Sequence, residues 1–237
     1  MTDSIGQKIL VLIPAYNEGE RVAPVVRQAL TLFPVLVVDD GSTDRTAAYA
    51  EAAGAEILAQ RPNQGKGAAL LAGFAAALER GYDAVITLDA DGQHDPAEIP
   101  AFTAAYREQG ADLVIGQRDF SCMPPLRRLG NSLGTLLFSR ALGLSVPDNQ
   151  SGYRLLSRRM LQAVADSPQR GFEFEVEMIL TCVLKGYTLA WVPIRTIYGG
   201  EKSHIQPLRH LAKFLQITYK TGQAVRAARA SEQEHRA

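Results

Sequence analysis

Short apolar, largely β-branched runs alternate with longer Ala- and Leu-rich stretches over the first half of the chain. Residues 9–13, 35–38, 55–59, 84–88 and 113–115 read as strands. Between them, the spacing of apolar positions predicts helices at about 20–32, 43–53, 66–80 and 96–109. Strands that are apolar throughout, with no polar alternation, suit a sheet covered on both faces. Strand–helix alternation predicts an α/β fold, a mostly parallel sheet with helices on both sides. Further on, 126–144 and 174–184 read as helices, 188–197 as a strand kinked at Pro193, and 207–230 as a long helix. The polar residues from about 231 read as a frayed end. No internal repeat or linker interrupts this series. The domain reading is therefore one α/β domain over 1–205, with a basic amphipathic helix and tail over 206–237.

Composition narrows the function classes. Of 237 residues, 25 are Lys or Arg and 25 are Asp or Glu, so no global field selects nucleic acid. Cys122 and Cys182 lack metal-ligand spacing and read as free thiols in a reducing compartment. The N-terminus does not read as a signal peptide, because its apolar run ends at Pro14. No stretch reaches the ~18 uninterrupted apolar residues of a spanning helix. The expectation is a soluble cytoplasmic chain, peripheral on a membrane at most. The 207–230 helix is the candidate for that contact, since Arg209, Lys213, Lys220, Arg226 and Arg229 lie in it with no acidic residue. Packing of this helix on the domain is the competing reading.

Four polar clusters directly follow strands, the position where open α/β sheets bind ligands. They are Pro14-Ala15-Tyr16-Asn17-Glu18, Asp39-Asp40-Gly41-Ser42-Thr43-Asp44, Asn63-Gln64-Gly65-Lys66-Gly67 and Asp89-Ala90-Asp91-Gly92-Gln93-His94-Asp95-Pro96. In extended backbone, Asp89 and Asp91 point to one side, with Gln93 next in line. Two close carboxylates call for a shared cation, and oxygen donors suit Mg²⁺ or Mn²⁺. Such an ion keeps positions free for the phosphates of a nucleotide. Asp95, before Pro96, reads as a helix cap. Ser42 or Thr43 reads as a second cap, Asp40 as a partner for the nucleotide base, and Gly65-Lys66-Gly67 as a phosphate cradle or an ordinary helix entry.

Together with Gln150-Ser151-Gly152-Tyr153-Arg154 and Phe174-Glu175-Val176-Glu177-Met178, these segments resemble family 2 glycosyltransferases of GT-A fold. The resemblance is strongest to the branch containing dolichyl-phosphate and polyprenyl-phosphate mannose and glucose synthases. It implies transfer of a hexose, with inversion, from GDP-mannose or UDP-glucose to a polyprenyl phosphate. It implies that Pro14, Ala15, Tyr16, Glu18 and Asp40 hold the nucleoside, with Lys66 and Ala90 close by. Asp89, Asp91 and Gln93 would bind the metal. Arg118, Arg127, Asn131 and Arg154 would serve the acceptor phosphate, and Lys202 the donor phosphates. The alternatives are a hydroxyl acceptor, with Glu175 or Glu177 as base, and a nucleotide-binding module without turnover.

Overall fold

A computed structural model of the chain describes residues 6–122, 125–171, 173–195 and 207–234. Side chains are described within these ranges except at 122–127, 207–213, 229 and 231–234. Lys202 lies outside the described residues, and Arg127 is placed only by its backbone.

The sheet has seven strands: β1 Ile9–Ala15, β2 Val35–Asp40, β3 Glu56–Gln60, β4 Ala84–Thr87, β5 Leu113–Arg118, β6 Arg154–Ser157 and β7 Leu189–Ile194. Their order is β3-β2-β1-β4-β6-β5-β7. Strands β1 to β4 run parallel, and β5 pairs in parallel with β7. Strand β6 is antiparallel to both β4 and β5. It joins the two parallel blocks and begins with Arg154 beside Thr87 and Ile115. Pro193 lies in β7, an edge strand, where a missing N–H leaves no central ladder bond unmade.

The helices are α1 Val22–Leu30, α2 Thr46–Ala52, α3 Lys66–Glu79, α4 Ile99–Gln109, α5 Pro125–Leu142, α6 Arg158–Val164, α7 Glu173–Leu184 and α8 Pro207–Glu234. Alternate residues of β1 feed two cores. Ile9, Val11 and Ile13 pack with α1, α2 and α4, whereas Leu10 and Leu12 face α3 and the helices after it. This two-sided burial is why the strands carry apolar residues on both faces. Gly73 admits the close approach of α3, since a Cβ there would fall 2.3 Å from Leu12 Cδ1. Helix α8 buries Phe214, Ile217 and Val225 in the second core and packs on α5 and α7. Packing on the domain is therefore the reading that holds for its described part.

Two helix starts differ in detail from the sequence pattern. The Thr46 N–H donates to Asp44 at 2.9 Å, so Asp44, rather than Ser42 or Thr43, opens α2. Ser42 Oγ instead accepts the Asn17 N–H, tying the β1 and β2 loops together. Asp95 is the cap expected of it, accepting the Ala97 N–H at 2.9 Å.

Candidate active site

The loops after β1, β2 and β4, and the start of α3, meet at the carboxyl edge of the parallel strands. The centre of this edge is an ion-pair relay. Lys66 Nζ is 2.6 Å from Asp89 Oδ1 and 2.8 Å from Glu175 Oε1, so one ammonium joins α3, the β4 loop and α7. Burial alone would lower the Lys66 pKa, but the two carboxylates reverse that and raise it above its ordinary value. Burial alone would raise the Asp89 pKa, and Lys66, with help from His94, holds it down at about 2. Gly152 lets this relay close: a Cβ there would lie 2.8 Å from Lys66 Nζ and 2.9 Å from Asp89 Oδ2. Thr87 Oγ1 donates to the Gly152 carbonyl at 2.7 Å and fixes that loop.

His94 backs the relay. Its Nδ1 accepts the Asp89 N–H at 3.1 Å, and its ring lies 5.1 Å from that of Tyr153. Burial lowers its pKa despite the nearby Asp89 carboxylate, so the imidazole is neutral near pH 7. Asp91 turns the chain, accepting the Gln93 N–H at 2.9 Å, and Gly92 takes the left-handed φ of 80° that the turn requires.

The residues assigned to the nucleoside separate into two groups. Tyr16 is 47% exposed at the β1 loop, and Pro14 and Glu18 are half-buried beside it. Ala15 and Ala90 are buried and present backbone alone. Asp40 departs from its expected role. Its two carboxylate oxygens accept the Gln64 and Gly65 N–H groups, each at 2.8 Å, so it anchors the α3 entry loop instead of reaching a base. The glycine pair of that loop is not an open phosphate cradle either. The Gly67 N–H donates to the Arg170 carbonyl at 2.9 Å, which fills the helix start. A Cβ on Gly65 or Gly67 would lie 2.5 or 2.8 Å from the Arg170 backbone.

On the acceptor side, Arg118 ends β5 and presents a fork to Asp148. Its Nε is 2.6 Å from Asp148 Oδ2 and its Nη2 2.9 Å from Oδ1. Asp148 is fully buried, so the guanidinium is held rigidly while its outer edge lines an open pocket of about 430 Å³. Phe120, Ser121, Arg128, Ser132 and Pro193 also line it. Among the described side chains of α5, Arg128 and Ser132 line the pocket, each one residue on from a position named by resemblance. Arg154 is corrected outright. It is 1% exposed, and its guanidinium donates to the carbonyls of Ser151, Asn149 and Glu175. Placed on an interior strand, it braces the loop behind the relay and does not face the acceptor. Asp148 carries no signal of its own in sequence, and the Arg170 carbonyl none at all. Both roles depend on loops that meet only in the fold.

Comparison with known proteins agrees with this architecture. Residues 10–165 match the profile of Glycosyl transferase family 2. The chain belongs to that family. It is 36% identical over 202 residues to an undecaprenyl-phosphate mannosyltransferase of Micrococcus luteus, covering 79% of this chain and 82% of the relative. It is 35% identical over 207 residues to a polyprenol monophosphomannose synthase of Mycolicibacterium smegmatis, covering 79% and 77%. Among solved structures, glucosyl-3-phosphoglycerate synthase of Mycobacterium tuberculosis, in complex with Mn²⁺, UDP-glucose and phosphoglyceric acid, superposes with a TM-score of 0.73. It shares 22% identity, over 93% of this chain and 81% of that one, so the likeness is one of GT-A fold.

The glycosyltransferase's donor set fits a hard divalent cation. Asp89, Asp91 and Gln93 supply oxygen from one turn. Among the described residues no three His, Cys, Asp or Glu side chains form a closed cage. An ion of the Mg²⁺ type needs only one or two carboxylates when phosphate oxygens complete its shell. Neither Glu175 nor Glu177 is placed as a base for a hydroxyl acceptor: Glu175 is paired with Lys66, and Glu177 accepts from Ser167 Oγ at 2.7 Å. Among the described residues no helix is long and apolar enough to cross a membrane.

Proposed function

We propose that this family 2 glycosyltransferase moves a hexose from a nucleotide sugar, GDP-mannose or UDP-glucose, to a polyprenyl phosphate. The observation that carries the reading is a cation-directed carboxylate turn at Asp89 and Asp91 after β4 and an anion-directed Arg118–Arg128 pocket at the end of β5, with only β6 between the two strands. The acceptors printed in the names of the two relatives, undecaprenyl phosphate and polyprenol, support it.

In this reading Asp89, Asp91 and Gln93 hold Mg²⁺ or Mn²⁺, which when bound neutralises charge on the donor diphosphate. Tyr16 stacks on the base, with Pro14, Ala15, Glu18 and Ala90 around the nucleoside. Lys66 fixes the Asp89 carboxylate and adds positive charge near the diphosphate. Lys202 has the same assignment from sequence. Arg118 and Arg128 grip the acceptor phosphate, with Asp148 setting the angle of the Arg118 fork. An ionised phosphate is already a nucleophile, so orientation and charge neutralisation replace a general base. Attack on the anomeric carbon as the diphosphate leaves inverts that centre. The chain works from the cytoplasmic face of the membrane that carries its acceptor.

Release of nucleoside diphosphate tests the reading. With Mn²⁺ present, release from one of the two donors should depend on added polyprenyl phosphate. Release that ignores the acceptor, or responds equally to a soluble alcohol, argues for hydrolysis or a hydroxyl acceptor.

A further inference from the structure

Helix α5 exposes a continuous apolar stripe. Leu129, Leu133, Leu136 and Leu137 are 67, 53, 50 and 38% exposed, at spacings that put them on one face. The opposite face is occupied: Phe138 and Leu142 lie in the core, and Gly134 lies against Phe214 of α8. Four exposed leucines on one helix form the kind of patch that soluble surfaces avoid.

The surroundings say what covers it. From Phe120 to Pro147 there is no acidic residue, while Arg127, Arg128 and Arg140 fall within α5. Asp119, which lines the pocket beside Arg118 and Arg128, is the one acidic residue between positions 113 and 147, so a second copy of this face would set three arginines against three with a single carboxylate on each side. An anionic lipid surface meets both the leucines and the guanidinium groups. The stripe also runs into the candidate acceptor pocket, because Arg128 and Ser132 line that pocket and Leu129 and Leu133 follow each in sequence. Helix α8, the basic helix expected from sequence to take this role, spends Phe214, Ile217 and Val225 on the core.

We propose that the leucine face of α5 seats the protein on an anionic membrane, with Leu129, Leu133, Leu136 and Leu137 in the headgroup–acyl boundary. The Arg118–Arg128 pocket then opens at the level of lipid phosphates. The proposal draws its purpose from the polyprenyl-phosphate reading, but its test does not need turnover.

Cosedimentation with vesicles of equal parts phosphatidylcholine and phosphatidylglycerol, free of polyprenyl phosphate, provides the test. The wild-type chain should bind these vesicles, and phosphatidylcholine alone more weakly. The Leu133→Glu/Leu136→Glu variant, altered only at exposed positions, should keep its thermal unfolding midpoint and lose binding about tenfold or more. Leu215→Glu/Tyr219→Glu on α8 should retain most of it. Wild-type binding by the α5 variant overturns the proposal, as does loss confined to the α8 variant. A wild-type dimer in light scattering that the α5 variant dissolves also overturns it, and assigns the face to a second copy. Because no acceptor or donor is present, failure of the transferase reading leaves this result unaffected.

Discussion

Lys66 and Asp89 stand 2.6 Å apart, and that contact makes the strand-end carboxylate usable. Two aspartates in one turn repel each other, and the ammonium offsets part of that repulsion. The contact also carries part of the fold, because Lys66 reaches Glu175 on α7 as well. Lys66→Met should leave two carboxylates unpaired in a site that is mostly buried. The expected loss is about 2–3 kcal/mol in urea unfolding, with turnover falling further than stability alone explains. Unchanged stability would mean the relay is looser than its distances indicate.

The acid limb of stability follows from the same pair. Asp89 has a pKa of about 2 in the fold, below its ordinary 3.8. The unfolded chain therefore binds the extra proton first. The stabilisation, about 2 kcal/mol, is complete above about pH 4 and is lost as pH falls towards 2. His94 acts earlier with the same sign. Its lowered pKa means that stability begins to drop below about pH 6.5, where the unfolded imidazole takes up a proton. Urea midpoints against pH should show both losses, and His94→Gln should remove the upper one and shrink the lower one, since His94 also helps to hold the Asp89 pKa down.

Two glycine-to-alanine changes should behave differently. At Gly152 the new Cβ meets the mobile ends of Lys66 and Asp89, which can swing aside. Gly152→Ala should fold within about 1 kcal/mol of wild type and lose most of its turnover. At Gly67 the Cβ meets Arg170 backbone, which cannot yield without moving the loop. Gly67→Ala should cost about 2–3 kcal/mol. Thermal unfolding paired with initial rates separates the two outcomes.

Arg154 and Arg118 should also part company. Arg154→Ala removes donors from three buried carbonyls and should destabilise by roughly 3 kcal/mol, because nothing replaces them. Asp148→Asn keeps the shape beside Arg118 but weakens a charge-assisted fork. It should raise the KM for the acceptor about tenfold and leave nucleotide affinity unchanged. An equal effect on both substrates would remove Arg118 from the acceptor side.

The parallel half of the sheet is legible in sequence because strands buried on both faces show as plain apolar runs. Strand β6 is not. Its four residues, Arg154 to Ser157, look like the tail of a polar motif, and their place is set by pairing with β4 and β5. Reading Arg154 as a phosphate ligand followed from missing that strand, since a residue on an interior strand is buried with its partners. Asp40 went astray for a related reason. The sequence shows a carboxylate at a strand end, but not the loop of Gln64 and Gly65 that arrives over it. Asp89 and Asp91 stand out in the sequence because two carboxylates in one turn have few structural uses. The relay through Lys66 to Glu175 spans α3 and α7, which no local pattern connects.

Transfer of labelled hexose into the organic phase tests the central claim most directly. The protein is incubated with Mn²⁺, labelled GDP-mannose or UDP-glucose, and polyprenyl phosphate, then extracted with organic solvent. Label from one donor should enter that phase as an acid-labile lipid-linked sugar, and Asp91→Ala, still folded, should reduce this to background. Label that stays in water with both donors, or an Asp91→Ala protein as active as wild type, would contradict the account.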